Sequence, residues 1–342
     1  MKFKKEAGFR AYVIILIRRK FNMHVDSVKD LVFGVIGGSA LLMYGVELMG
    51  SSFEKAAGGF IKKTLSIFAG NLLSAFFTGI FITALVQSST AVTVLTVGFV
   101  NAGLMNLNQA VGIIYGANIG TTITAQLMAL DITEVSLPLI GIGYIIMIAS
   151  NKSLFKNTGR GLMGLGMLLL GLKLINSGVP FLKSDPYIIN FFRVYGNNTI
   201  ISLIIGTLLT AAVQSSSAVM GVTMILARYD LISLGGAISL MIGSNIGTCA
   251  AAQLAAVTGN TASKRAAWAH TLYNIIGGMV AIIAIKPFIV LVQLLSPGMP
   301  IERQVANSHT LFNVLSAIVF LPVTKYYVRL IENIVPDRKN NR

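Results

Sequence analysis

Charged residues are scarce in this sequence, since only 11% of its 342 residues are Asp, Glu, Lys or Arg and 54% are hydrophobic. Soluble globular domains carry about 25% charged residues. The deficit excludes a soluble fold and predicts a chain that mostly faces lipid. A single cysteine, Cys249, excludes an internal disulfide framework. Prolines are also few, 8 against 34 glycines, which is typical of closely packed transmembrane helices.

Acidic residues number only 12 against 27 Lys and Arg, giving a net charge of +15. Clusters of basic residues lie at both ends and in one mid-chain stretch: Lys2, Lys4, Lys5, Arg10, Arg18, Arg19, Lys20, Lys152, Lys156, Arg160, Arg338, Lys339 and Arg342. This is the positive-inside pattern, so we expect the mid-chain stretch and both termini in the cytoplasm and the chain in a prokaryotic inner (plasma) membrane. Charge dispersed in this way indicates a lipid bilayer as partner and excludes nucleic acid.

Hydrophobic runs of spanning length recur along the chain, taking roughly 20 residues as one crossing. They cover 31–50, 109–130, 135–150, 160–176, 236–257, 266–294 and 304–323. The run 266–294 holds one tilted helix, or a helix and a shorter piece, because Lys286-Pro287 interrupts it. Residues 11–17 are too short to span and predict an interfacial helix rather than a signal peptide.

A duplicated motif is the most specific feature. Gln87-Ser-Ser-Thr90 recurs at Gln214-Ser-Ser-Ser217, and Gly116-Ala-Asn-Ile-Gly-Thr121 recurs at Gly243-Ser-Asn-Ile-Gly-Thr248, all at an offset of 127 positions. Each Gln-Ser-Ser lies between two apolar arms, the second of which is too short to cross comfortably, and this predicts a re-entrant helical hairpin. An odd number of crossings separates the two units, so the second unit is expected upside down in the bilayer.

These observations predict an all-α polytopic membrane protein with inverted repeats, each containing a re-entrant hairpin and a broken helix. The expected divisions are a basic interfacial segment, the first repeat, the core of the second repeat, the C-terminal transmembrane helices and a cytoplasmic tail: 1–30, 31–151, 152–258, 259–331 and 332–342.

The repeated motifs favour binding of an anion and a monovalent cation. Clustered hydroxyls beside the start of a helix arm, with its backbone N–H groups, suit an oxyanion. Two glycines around an asparagine favour a helix break whose freed carbonyls would surround Na⁺. The motifs contain no carboxylate or histidine, so a divalent metal is poorly supported, and no cofactor other than a coupling ion is expected. Packing alone is the alternative, since small residues also bring membrane helices together.

Other residues have competing interpretations. His270-Thr-Leu-Tyr-Asn274 and His309-Thr-Leu-Phe-Asn313 could line the pathway, although packing against neighbouring helices is the favoured role. Glu47 and Lys173 hold matching places in the two units, where snorkelling to the interface is favoured over pairing. An enzyme is disfavoured because no base and orienting acid can be assigned to Ser88 or Ser215.

The doubled motifs resemble the signature of the type II sodium-phosphate cotransporter family, over roughly residues 31–325. The resemblance implies Na⁺-coupled import of inorganic phosphate by alternating access, with phosphate between the two hairpin tips. Its phosphate-binding positions here are Gln87, Ser88, Ser89, Asn118, Gln214, Ser215, Ser216 and Asn245. Its sodium-binding positions are Gln87, Thr90, Asn118, Thr121, Thr122, Gln214, Ser217, Asn245 and Thr248.

Alternatives remain open beside this expectation. Another oxyanion such as sulfate, or a dicarboxylate, could use the same architecture, and an anion channel is a weaker alternative. Cys249 stands opposite Thr122, so the two ion sites are expected to differ because sulfur is a poor sodium ligand. A homodimer is the candidate assembly.

Overall fold

The computed structural model describes residues 28–57, 70–130 and 132–337, which are helical and contain no β-strand. The interfacial helix expected at 11–17 lies outside these ranges. The helices in chain order are α1 (Val28–Ala57), α2 (Leu72–Val86), α3 (Ser89–Asn101), α4 (Leu107–Gly120), α5 (Thr122–Met128), α6 (Ser136–Ala149), α7 (Ser153–Lys183), α8 (Pro186–Tyr195), α9 (Thr199–Val213), α10 (Ser216–Arg228), α11 (Leu234–Gly247), α12 (Cys249–Ala256), α13 (Thr261–Ile283), α14 (Ile285–Leu295) and α15 (Ile301–Ile334).

Five helical stretches of the described chain are long and apolar enough to cross a membrane, namely α1, α7, α11 with α12, α13 and α15. The number rises to seven if each of two bent pairs forms one crossing. The predicted all-α polytopic membrane protein is therefore confirmed. The run 266–294 is divided, because α13 ends at Ile283 and α14 begins at Ile285.

The two predicted hairpins are α2–α3 and α9–α10. Their arms have 15 and 13 residues in each unit, fewer than the roughly 20 that a crossing needs. The Gly-x-Asn-Ile-Gly-Thr motif of each unit lies in the motif helix, which is α4 with α5 in the first unit and α11 with α12 in the second. The first arm of each hairpin runs parallel to the motif helix of the same unit. In the first unit, for example, Gly112 lies against Leu72 and Gly116 against Phe76. Both halves of the duplication therefore build the same packed group of helices.

The first helices of the two units, α1 and α7, pack against each other through reciprocal glycine contacts. Gly38 lies against the backbone of Gly171, and Gly45 against that of Gly164. The residue numbers rise along one helix as they fall along the other, so the two helices are antiparallel. An inverted repeat requires this relation of α1 and α7. The inversion of the complete units across a bilayer stays a prediction.

The C-terminal helices α13 and α15 lie against both motif helices, and an aromatic cluster fills one of these contacts. Tyr115 of α4 stacks on Tyr273 of α13 with ring centroids 4.5 Å apart, and Phe320 of α15 meets both rings edge-on. The helix α15 continues to Ile334, past the predicted start of the tail at residue 332. These buried contacts hold the motif helices in place beside the hairpins.

Candidate functional site

Each hairpin tip is built from one glutamine and one serine in the same two backbone conformations. Gln87 and Gln214 adopt left-handed backbone angles, with φ of 58° and 57°, and end the first arms. Ser88 and Ser215 are extended and cap the second arms by accepting backbone N–H groups three residues ahead. A left-handed glutamine costs roughly 1–3 kcal/mol, so the two turns store strain at the same place in each unit.

The two tips meet in one cavity of about 440 Å³. It is lined by the first tip, the second tip, one motif-helix threonine and one side of α1: Val86, Gln87, Ser88, Ser89, Thr90, Ala91, Gln214, Ser215, Ser216, Ser217, Thr121, Met43, Val46, Glu47, Ser51 and Glu54. The duplication thus brings segments 127 positions apart in the sequence to a single site. Backbone N–H groups at the starts of α3 and α10 lie at this cavity.

Two buried residues of the cavity lining have unpartnered hydroxyls. Ser89 and Thr121 are 6% and 9% exposed, and neither side chain forms a hydrogen bond within the described part of the chain. Both hydroxyl oxygens remain accessible to solvent, so each is free to bind a ligand without first losing a partner in the protein. Their orientation towards a shared cavity indicates groups that a ligand can satisfy.

The two tips differ in burial and anchoring. Gln87 is 5% exposed, its Oε1 accepts a hydrogen bond of 2.6 Å from the Thr124 hydroxyl of α5, and its Nε2 donates to the Ala84 carbonyl. Gln214 is exposed and donates only to the Ala211 carbonyl. Ala251 stands where the repeat would place a second Thr124. The first tip is therefore tied to a motif helix, and the second lacks that hydrogen bond.

The predicted break in each motif helix is reduced to one residue, Thr121 or Thr248, which keeps right-handed helical backbone angles and bonds the carbonyl four residues before it. The expectation that the glycines open the helix around the asparagine is wrong, because they serve close packing. A Cβ on Gly116 would lie 2.0 Å from the Phe76 carbonyl oxygen, and one on Gly243 equally close to that of Leu203. The helix continues through the motif, and its glycines let the backbone of the neighbouring hairpin arm pack directly against it.

The hydroxyls of Thr122 and Thr248 bind backbone carbonyls of their own motif helices. Thr122 Oγ1 donates to the Ile119 carbonyl at 2.8 Å, and Thr248 Oγ1 donates to the Asn245 carbonyl at 2.6 Å. These two threonines are outside the cavity lining. Of the predicted sodium ligands after the asparagines, the cavity contains Thr121 alone.

The motif asparagines also lie outside the cavity lining. Asn118 Nδ2 donates to Asn274 Oδ1 at 3.1 Å, and Asn245 Nδ2 donates to Asn313 Oδ1 at 3.0 Å. His309 Nε2 lies 3.0 Å from Asn245 Oδ1. The structure therefore joins the asparagines to the paired His-Thr-Leu elements of α13 and α15. The other predicted phosphate-binding residues all belong to the two tips, and the structure brings them together in the cavity.

A second pair of polar contacts joins each unit to one of the C-terminal helices. Gln126 Nε2 donates to Thr310 Oγ1 of α15 at 3.1 Å, and Gln253 Nε2 donates to Thr271 Oγ1 of α13 at 2.7 Å. Helix α13 thus bonds the first unit through an asparagine and the second unit through a threonine, and α15 does the reverse. This exchange of partners ties both units to the same two helices.

Sequence reasoning missed the polar side of α1. Glu47, Ser51 and Glu54 line the cavity, although Glu47 was expected to reach the membrane interface. Their spacing of four and three residues places them on one side of a helix, a signal that could have been read from the sequence. Lys173, the counterpart of Glu47, does not line the cavity.

Most of the chain matches the model of one protein family. The model described as Na+/Pi-cotransporter matches residues 41–177 and 187–298, which include both tips and both motif helices. The chain belongs to the Na⁺/Pi-cotransporter family. It is therefore a member of a family of membrane transporters, and the resemblance of its doubled motifs is confirmed.

Several curated relatives of this Na⁺/Pi-cotransporter family member have sequence identities near one third. The uncharacterized protein YqeW of Bacillus subtilis (strain 168) is 32% identical over 71% of this chain and 80% of its own length. YjbB of Escherichia coli (strain K12), a proposed inorganic phosphate export protein, is 31% identical over 75% of this chain. The rabbit (Oryctolagus cuniculus) sodium-dependent phosphate transport protein 2A is 38% identical over 26% of it.

This family member is shorter than two of these relatives. The match spans 46% of the length of YjbB and 14% of that of the rabbit protein. No solved structure matches the chain.

Proposed function

We propose that this protein transports inorganic phosphate in symport with Na⁺, by alternating access. The observation that carries the proposal is the meeting of both Gln-Ser-Ser tips in one cavity of about 440 Å³. A site between repeats is the place where transporters with this organisation bind their substrate. Family membership and the name of the rabbit relative support the same substrate and ion.

Phosphate fits the donor set of the tips. Ser88 and Ser215 each accept a backbone N–H and keep a hydroxyl proton to donate, and the helix starts add N–H groups. Hydroxyls can also accept the proton of hydrogenphosphate, which sulfate lacks at neutral pH. The tips therefore favour phosphate over sulfate or a dicarboxylate. This arrangement gives no base to a serine, so we propose transport rather than catalysis.

For sodium, we propose that the coupling ions bind beside phosphate through oxygen atoms of the cavity. Gln87, Thr90, Thr121, Gln214 and Ser217 all line it and offer neutral oxygens. Asn118, Thr122, Asn245 and Thr248 stay candidates by resemblance alone, with a role in positioning the motif helix as the alternative.

We propose import as the direction, because an inward Na⁺ gradient across a plasma membrane drives a symported anion inwards. Export is the second candidate, since YjbB is named for it. Both directions use the same site, and the sign of the gradient and the orientation of the protein decide between them. Cytoplasmic termini and a homodimeric assembly belong to the same proposal.

The proposal is tested by binding of radiolabelled phosphate to the purified protein in NaCl or KCl. We expect Na⁺-dependent binding that excess sulfate does not displace. Ser88→Ala and Ser215→Ala should each weaken phosphate binding by about 1–3 kcal/mol, because each removes a hydroxyl that donates to the charged phosphate. Ser184→Ala is the matched control, an exposed serine outside the cavity that bonds only the Phe181 carbonyl. Unchanged phosphate affinity in both tip variants would refute the site.

A further inference from the structure

One side of α1 carries carboxylates into the cavity between the tips. Glu47, Ser51 and Glu54 line it, and the two carboxylate residues are about 10 Å apart along the helix axis at a rise of 1.5 Å per residue. Gly50 fixes this side against the first tip, since a Cβ there would lie 2.0 Å from the Val86 carbonyl oxygen. The carboxylates therefore belong to the same site as Gln87.

The charge of the cavity lining is negative. Two glutamates contribute to it, and none of the described lining residues is Lys, Arg or His. Phosphate would enter this cavity against the repulsion of like charges, which falls only with distance and with screening by solvent. A cation in the cavity reverses the balance, because it attracts both the carboxylates and phosphate.

A second feature of the cavity also indicates a cation. Ser89 and Thr121 are buried residues that line the same space, and their accessible hydroxyls bond no described residue. Hydroxyl oxygens keep lone pairs that accept a hard cation, and carboxylate oxygens supply its counter-charge. Two carboxylates and two free hydroxyls thus surround one water-accessible space beside the tips.

We propose that Glu47 and Glu54 recruit the coupling cation. Their carboxylates draw a monovalent cation into the cavity, where the Ser89 and Thr121 hydroxyls complete its oxygen ligands. The bound cation then offsets the charge of phosphate at the tips, so phosphate binding depends on prior occupation by the cation. The part of this inference that concerns phosphate rests on the proposed function, and the part that concerns the cation does not.

The first test measures binding of ²²Na⁺ to the purified protein in phosphate-free choline buffer. We expect Glu47→Gln and Glu54→Gln each to raise the half-saturating Na⁺ concentration roughly fivefold, the scale of one unit-charge attraction at contact distance in water. Glu134→Gln is the matched control, because Glu134 is an exposed glutamate outside the cavity lining. Glu47→Asp and Glu54→Asp keep the charge, should keep most of the Na⁺ affinity, and carry the test if a glutamine variant does not fold.

The second test measures phosphate binding by the same proteins at limiting and saturating Na⁺. We expect the double variant Glu47→Gln/Glu54→Gln to bind phosphate within about twofold of wild type at saturating Na⁺ but more than tenfold more weakly at limiting Na⁺, because the two ligands are thermodynamically coupled. An unchanged ²²Na⁺ curve in that variant would overturn the inference. Tighter phosphate binding at limiting Na⁺ would also overturn it, since the carboxylates would then act by repulsion alone.

The two tests separate the failure of this inference from that of the proposed function. If wild type binds no phosphate while the glutamine variants shift the ²²Na⁺ curve, the cation role stands and the substrate is wrong. If wild type binds phosphate with Na⁺ dependence and the glutamine variants leave that dependence unchanged, the site stands and the role of Glu47 and Glu54 is wrong.

Discussion

The hydrogen bond between Gln87 and Thr124 gives the first hairpin tip an anchor that the second tip lacks. At the second tip Gln214 is exposed, and Ala251 offers no hydroxyl in the equivalent place. The two hairpin tips are nearly identical in sequence, but only the first is hydrogen-bonded to a neighbouring helix. Motion between access states requires that some parts of the site move against others, and we expect the second tip to be the more mobile.

The anchor is tested by Thr124→Val, which removes the hydroxyl at nearly constant volume. The buried Gln87 Oε1 loses its donor, so we expect the unfolding free energy in detergent to fall by about 1–3 kcal/mol. Thr158→Val serves as control, because the Thr158 hydroxyl is exposed and bonds only the Leu154 carbonyl of its own helix. Equal stability of the two variants would show that the anchor contributes nothing.

The sequence predicted the tip residues, because Gln-Ser-Ser repeats at one offset in an apolar setting. It could not predict the inequality of the tips, which depends on whether Thr124 of a different helix faces Gln87. The cavity role of Glu47 was missed for a related reason. The spacing of Glu47, Ser51 and Glu54 places them on one side of α1, but that side is equally compatible with an interface and a cavity until the packing partner of the helix is known.

Glycine decides how the helices of each unit fit together. Gly116 and Gly243 give the first hairpin arm direct access to the motif helix backbone, and the same feature joins α1 to α7 through Gly38 and Gly171. From the sequence, the glycines around Asn118 indicated a wide helix break, because glycine lowers helix propensity. Close packing was the competing effect, and it depends on a neighbouring helix that propensity cannot reveal.

Replacing a packed glycine separates these two effects. Gly116→Ala places a methyl group against the Phe76 carbonyl, so we expect a loss of about 1–3 kcal/mol in unfolding free energy from overpacking. Gly98→Ala is the control, since Gly98 is in α3 with nothing within 4 Å of an added Cβ, and its helix propensity should rise. A Gly116→Ala protein as stable as the Gly98→Ala protein would contradict the packing role.

The paired asparagines connect the motif helices to α13 and α15. For Asn118→Ala, Asn274→Ala and the double variant, a double-mutant cycle should give a coupling free energy of roughly 0.5–2 kcal/mol, the range of hydrogen bonds between membrane helices. Asn118→Ala combined with Gln293→Ala is the control pair, because Gln293 is an exposed residue of α14. Additive effects in the Asn118 and Asn274 cycle would show that this contact carries no energy.

The molecule as a whole consists of two similar helix groups joined by α1 with α7 and by the C-terminal helices. The sequence predicted the number and rough position of the spanning segments, because each crossing needs a long apolar run. It also predicted the duplication. It did not predict that α13 and α15 exchange partners between the units, since Gln126–Thr310 and Gln253–Thr271 join residues that share no sequence neighbourhood.

The most direct test of the account is radiolabelled phosphate uptake into liposomes that contain the purified protein, with an inward gradient of Na⁺ or of K⁺. The account predicts phosphate accumulation above the external concentration with Na⁺ and none with K⁺. In preloaded liposomes, reversal of the Na⁺ gradient should drive phosphate out through the same site. Phosphate that merely equilibrates, at equal rates in Na⁺ and K⁺, would contradict a Na⁺-coupled site between the two tips.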